Sequence, residues 1–172
     1  MGFISQSRKA RISACLAATL MLLAAPLFTT LTAAGAARPA GIGHVYNFAY
    51  SKSKTYSITL VKLVDPGKLS SISITPGKNS RFVGVKFKIV NTGKVVIDVG
   101  VAEYTYVVDT SGASVQFSPA TLSNCPTLGS GTGTASVAPG SFIIGCIPFQ
   151  IPNSQKVKKV EFGSSVPVVW NV

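Results

Sequence analysis

The side chains able to do chemistry are few. His44 is the single histidine, and the acids number five: Asp65, Asp98, Glu103, Asp109 and Glu161. A Ser-His-Asp arrangement needs an imidazole oriented by the fold, and His44 stands in RPAGIGHVYNFAYSKS (residues 38–53), a stretch with no strong period. Glu103 and Asp109 flank one run of residues. At roughly 3.3 Å per extended residue they would sit about 20 Å apart, too far for a glycosidase pair. Asp65 and Asp109 each open a turn-like tetrapeptide, Asp65-Pro66-Gly67-Lys68 and Asp109-Thr110-Ser111-Gly112, and read as turn acceptors rather than ligands. There is no G-x-S-x-G, H-E-x-x-H or Walker-type loop. The run Gly129-Ser130-Gly131-Thr132-Gly133 lacks the Lys and the following helix of a phosphate cradle. This inventory predicts a non-enzymatic protein with no catalytic residues, no metal and no cofactor.

What the chain does carry is positive charge. Sixteen Lys and Arg against five acids give a formal net charge of +11 over 172 residues. Arg8, Lys9 and Arg11 precede the apolar N-terminal run, and the balance without them is +8. Lys86 and Lys88 share one face of their run, and so do Lys156 and Lys158. Were the two runs neighbours, a basic stripe would result. It could serve as an anion-binding face for cell-wall polymers or another polyanion, or simply as a solvated sheet face. Tyr104 and Tyr106, also on alternate positions, could form an exposed aromatic patch or pack across strands. Nothing resembles an RNA-type aromatic motif or a helix for a DNA groove, so no specific nucleic-acid partner is expected.

The N-terminus carries an address. A basic stretch is followed by ACLAATLMLLAAPLF (residues 14–28) and then by the small residues TTLTAAGAA. This is the n-region, h-region and cleavage zone of a signal peptide, with Ala34-Gly35-Ala36 fitting the A-x-A pattern and cleavage expected near Ala36 or Ala37. An uncleaved anchor is the alternative, weakened by Pro26, Thr29, Thr30, Thr32 and Gly35, and only then would the protein meet a membrane. Cys15 follows Ile12-Ser13-Ala14, but it precedes the apolar run instead of ending it, which argues against a lipidation box. Residues 1–37 are thus read as a signal peptide with a signal helix, 38–53 as a leader and 54–172 as one folded domain, secreted or held at the cell surface. In an oxidising compartment the remaining pair, Cys125 and Cys146, is expected to form a disulfide. It would close a loop worth about 3 kcal/mol in the chain-entropy picture.

The elements that must position these residues are strands. Pro76 to Gly93 reads PGKNSRFVGVKFKIVNTG, with Val83, Val85, Phe87 and Ile89 alternating against Gly84, Lys86 and Lys88. Period two with turn residues at both ends marks a central strand with one buried and one wet face. Further strands are expected over 55–65, 70–75, 94–101, 103–109, 114–117, 141–151, 156–162 and 166–172, with an edge strand at 44–50. Gly145 and Pro148 place the run 141–151 at an edge or bulge. Residues 119–139, rich in Gly, Ser and Thr, read as a long surface loop with little to bury. With 44–50, 70–75 and 114–117 as the marginal runs, about seven to nine short strands at regular spacing predict an all-β, antiparallel β-sandwich.

In their order, GKNSRFVGVKFKIVNTGK, YTYVVDTSGASVQF, the Cys125 loop, VAPGSFIIGCIPFQIP and KVEF resemble a bacterial family of exported immunoglobulin-like domains of unknown function. Its fold is similar to that of the secreted immunoprotective antigen of mycobacteria. The likeness covers roughly Tyr56 to Phe162. It implies an immunoglobulin-like antiparallel β-sandwich with no established catalytic residues and no settled ligand; the partner expected from the export signal and the missing catalytic set is an unidentified protein or cell-envelope component. The family often has a lipidated N-terminal Cys, which the simple secretion signal here lacks. A central Trp between two sheet-bridging cysteines is also missing.

Overall fold

The computed structural model describes residues 40–70, 74–129 and 134–172. Eleven strands lie among them: β1 (Ala40–Gly41), β2 (Val45–Ala49), β3 (Thr55–Gly67), β4 (Ser80–Asn91), β5 (Ile97–Gly100), β6 (Thr105–Asp109), β7 (Ser114–Val115), β8 (Thr134–Val137), β9 (Phe142–Pro152), β10 (Val157–Phe162) and β11 (Val168–Asn171). They form a four-stranded sheet in the order β2-β3-β4-β9, a five-stranded sheet in the order β1-β11-β10-β6-β7, and a small pair β5-β8. The chain is an all-β sandwich. The signal helix, the cleavage point and the anchor alternative fall on residues 1–39, outside the described residues.

Alternation in β4 does what its sequence requires. Val83, Val85, Phe87 and Ile89 are fully buried, together with Ile58 and Leu60 of β3 and Phe149 and Ile151 of β9. From the opposite sheet Val107, Val160 and Trp170 close the core. Each aromatic here removes enough apolar surface from water to contribute a few kcal/mol. The Trp170 ring stands edge-on to Tyr46 at 4.9 Å and lies 5.7 Å from Phe87. Its Nε1–H donates to the His44 carbonyl at 3.0 Å. The Tyr46 hydroxyl donates to the Val169 carbonyl at 2.8 Å. Asn91 ends β4 with a buried side chain that donates to the carbonyls of Val95 and Val137 and accepts from Gly93 N–H, satisfying its polar atoms.

The structure departs from the sequence expectations in four places. Residues from Ala40 onward belong to the sandwich rather than to a leader: β1 pairs with β11 and β2 with β3, so this stretch straps one sheet to the other. The β1–β11 pair is parallel, as is the isolated bridge between Thr127 and Cys146, whereas the other strand pairs among the described residues are antiparallel. The expected turn at 65–68 is instead the end of β3, whose Gly67 pairs with Phe82 after a bulge; the Asp65–Pro66 peptide is cis. The loop 119–139 is not an unburied tract. Ala120, Leu122, Cys125 and Leu128 are buried, and Thr134–Val137 forms β8 against β5. The expected strand at 70–75 lies partly outside the described residues.

Candidate functional site

The two expected lysine pairs do not meet. Lys86 and Lys88 lie on the outer face of β4 in the four-stranded sheet, whereas Lys158 is on β10 of the other sheet and Lys156 just precedes that strand. No stripe runs from one pair to the other, because β4 and β10 are in different layers. A different lysine joins the first pair. The β3–β4 register sets Lys62 directly opposite Lys86, with Lys88 opposite Thr59 one step along the same face. β4 is an interior strand, so protection of a sheet edge does not account for its lysines. None of the three has a carboxylate partner among the described residues, whose ion pairs are Arg81–Asp65 and Lys159–Glu161, each at 2.7 Å. Exposed apolar side chains surround them: Val45, Val61, Ile144 and Phe142. Phe142 is 60% exposed, and the Lys88 ammonium lies 4.9 Å from its ring centroid.

The rest of that face is covered. Phe82, Ala120, Leu122, Cys125 and Cys146 form a second apolar cluster on the outside of the sheet. The Cys125–Cys146 disulfide, with Cα atoms 5.8 Å apart, ties the loop to β9. The loop also satisfies the free edge of β9. Cys146 N–H donates to the Pro126 carbonyl, Leu128 N–H to the Cys146 carbonyl, and Ser118 N–H to the Pro148 carbonyl. Pro148, lacking an N–H, therefore costs the sheet no ladder bond. Gly145 is required by the same approach, since a Cβ there would stand 2.5 Å from Leu128 Cα. The crevice beneath the loop is only about 20 Å³, room for a single water.

At one end of the sandwich lies a cleft of about 350 Å³ that the sequence reading missed. Phe48, Tyr50 and Tyr56 wall one side, and Tyr104, Phe162 and the turn Gly163–Ser165 wall the other. Phe48 stacks on Tyr56 with centroids 4.9 Å apart and planes 12° apart, and Tyr50 lies 5.8 Å from Tyr56 on a 30° tilt. Phe162 meets Phe48 edge-on at 5.4 Å. Gly163 N–H donates to the Tyr104 carbonyl at 2.9 Å, fixing the turn against the β6 entrance. Tyr104 and Tyr106 do not pack in the core. Thr105 and Val107 take the inward positions, leaving Tyr104 44% exposed and Tyr106 half-buried. Tyr56 is 1% exposed, and its hydroxyl has one long contact, 3.5 Å to the Tyr50 hydroxyl. Burial, with the Tyr50 hydroxyl beside it, pushes the Tyr56 pKa up.

The acids do not converge on a catalytic grouping. Asp65 pairs with Arg81. Asp109 is a turn acceptor, as its sequence suggests, taking bonds from Ser111 N–H, Ser111 Oγ and Ala113 N–H. The Ser111 hydroxyl above all, with the backbone N–H donors, holds its carboxyl below the usual range. Asp98 accepts from Ser136. Among the described residues no three of His, Cys, Asp and Glu gather closely enough to hold a metal ion. His44 is exposed and packs its ring 4.7 Å from Tyr46.

No protein-family model and no curated protein matches the chain. Two crystal structures are similar to it. One is an uncharacterized β-sandwich protein of Clostridium difficile 630, 12% identical, covering 78% of this chain and 93% of that one at a TM-score of 0.49. The other is a candidate lipoprotein of Bacillus subtilis subsp. subtilis strain 168, 11% identical at a TM-score of 0.49. That match covers 71% of this chain but only 37% of that one.

Proposed function

We propose that this is an exported, non-enzymatic binding protein that engages phosphate-bearing polyanions of the cell envelope through the outer face of its four-stranded sheet. The observation that carries the reading is the juxtaposition of Lys62 and Lys86 with Lys88 beside them. Like charges directly opposite across a strand pair cost stability, and here they lie on the bare half of a face whose other half is covered. A polyanion would convert that repulsion into attraction, and the net positive charge of the whole chain would steer it in. The signal-like N-terminus and the motif order shared with exported immunoglobulin-like domains support the location. The thin catalytic inventory supports a binding role.

The test is retention on a polyanion column at 0.15 M salt, where the Debye length is about 8 Å and only clustered charge still holds. A Lys62→Gln/Lys86→Gln/Lys88→Gln variant should elute early. A Lys94→Gln/Lys156→Gln/Lys158→Gln variant, which loses the same charge elsewhere, should elute close to wild type. Equal losses in the two variants would reduce the effect to net charge and overturn the assignment of the face.

A further inference from the structure

The tyrosine-lined cleft has a chemistry opposite to that of the lysine face. No Lys or Arg lines it or the adjoining hollow beyond Tyr104, although basic residues outnumber acids threefold in the chain. That hollow is lined instead by Glu103 and Glu161. Glu161 is neutralised by Lys159, but Glu103 has no ionic or hydrogen-bond partner among the described residues. Gly100 leaves the space in which the Glu103 carboxylate and the Tyr104 ring lie together. A Cβ at Gly100 would meet Glu103 Oε2 at 3.4 Å and the Tyr104 ring at 3.5 Å. Across the cleft, Tyr50 is 70% exposed and rests against the buried Tyr56, their ring centroids 5.8 Å apart.

From this geometry we infer that the cleft binds a small organic ammonium cation, with a quaternary ammonium group held between the Tyr50 and Tyr104 rings and balanced by Glu103. The negative ring faces attract a cation whose charge is spread over methyl groups, and such a cation sheds water more easily than a compact ammonium. The carboxylate supplies the counter-charge that the basic remainder of the surface cannot. No basic side chain lines the cleft itself, and Lys54 lines a separate hollow that shares only Tyr50 with it, so the ligand class is the free cation rather than a zwitterionic lipid headgroup. The site shares no residue with the lysine face, and neither assignment depends on the other.

The experiment is a titration of the ¹⁵N-labelled protein, followed through the backbone amides of Tyr104, Gly163 and Ser164. Choline chloride should shift them saturably. Its neutral isostere 3,3-dimethylbutanol should bind about 5-fold more weakly or worse, the loss expected when a cation–π contact of about 1 kcal/mol is removed. Phosphocholine should also bind more weakly than choline. Glu103→Gln, on an exposed side chain that leaves the fold intact, should weaken choline several-fold and leave the isostere unchanged. Equal binding of choline and the isostere would overturn the inference, as would tighter binding of phosphocholine. So would the absence of any saturable shift, or a response to N,N′-diacetylchitobiose in place of choline.

Discussion

Replacing Lys86 by Glu should make the protein more stable and at the same time weaken its hold on polyanions. Lys62 and Lys86 are cross-strand partners, which places their Cβ atoms about 5 Å apart. With the ammonium groups splayed to about 6 Å in water, Coulomb's law gives a repulsion of about 0.7 kcal/mol before screening. Salt and side-chain freedom reduce this to about 0.5 kcal/mol. Lys86→Gln removes that repulsion. Lys86→Glu reverses it and also places a carboxylate two residues from Lys88, for a total gain of about 1 kcal/mol. In a domain of this size that raises the melting temperature by about 4 °C. The assay is thermal unfolding followed by circular dichroism, at 20 mM and at 1 M NaCl. In 1 M salt, where the Debye length is about 3 Å, the gain should largely vanish. A Lys86→Glu protein that melts at or below wild type in low salt would refute the argument, because Lys62 and Lys86 would then not feel each other. A gain of equal size at both salt concentrations would trace the effect to packing or strand propensity instead.

Two further outcomes follow from the loop and the turn. Converting Cys125 and Cys146 to Ser should lower the unfolding free energy by about 3 kcal/mol, measured by urea denaturation. Intact mass after alkylation of the unreduced wild type should show neither thiol labelled. For Asp109 the folded carboxyl is held below its unfolded value near 3.9 by the Ser111 hydroxyl and neighbouring N–H groups, so its charge stabilises the fold above that value. The contribution is lost as pH falls through the lower folded value. Asp109→Asn should therefore have a lower urea midpoint than wild type at pH 6.5, and the gap should be smaller at pH 2. A constant gap at both pH values would mean that the turn uses the oxygen's geometry and not its charge.

The core was legible because period two is a local property. Val83, Val85, Phe87 and Ile89 declare their burial within seven residues, and the structure buries all four. The cysteine pair was legible for another reason: with Cys15 in the export segment, Cys125 and Cys146 leave a single pairing, and the absence of C-x-x-C spacing argues against a redox or metal site. The loop misread has a different cause. Ala120, Leu122 and Cys125 follow no strand or helix spacing, so their burial depends on the apolar outer residues Phe82, Val64 and Leu69 that wait beneath them, while Leu128 is buried because it reaches the main core. The cleft could not be read at all as a site, since Phe48, Tyr104 and Ser164 come together only when the ends of two sheets align. The available hint was the crowding of Tyr46, Phe48, Tyr50 and Tyr56 in one hairpin, more rings than a single strand face can bury.

The lysine face shows where a local signal was present and went unused. From Tyr56 the buried positions run Tyr56, Ile58, Leu60, and strict alternation would next put Lys62 in the core. An unpaired buried ammonium costs several kcal/mol, far more than a kink in one strand. Leu63, one residue on, is apolar and packs against the main core. The phase must therefore change between Leu60 and Leu63, and one extra residue does it. The ladder steps from Leu60–Phe87 to Lys62–Lys86 to Leu63–Val85, with Val61 in the bulge. That single insertion keeps Leu63 inside, turns Lys62 outward and sets it against Lys86. A lysine falling on a buried parity next to a leucine off it is thus a readable sign of a bulge, and in this strand the bulge builds the charged face.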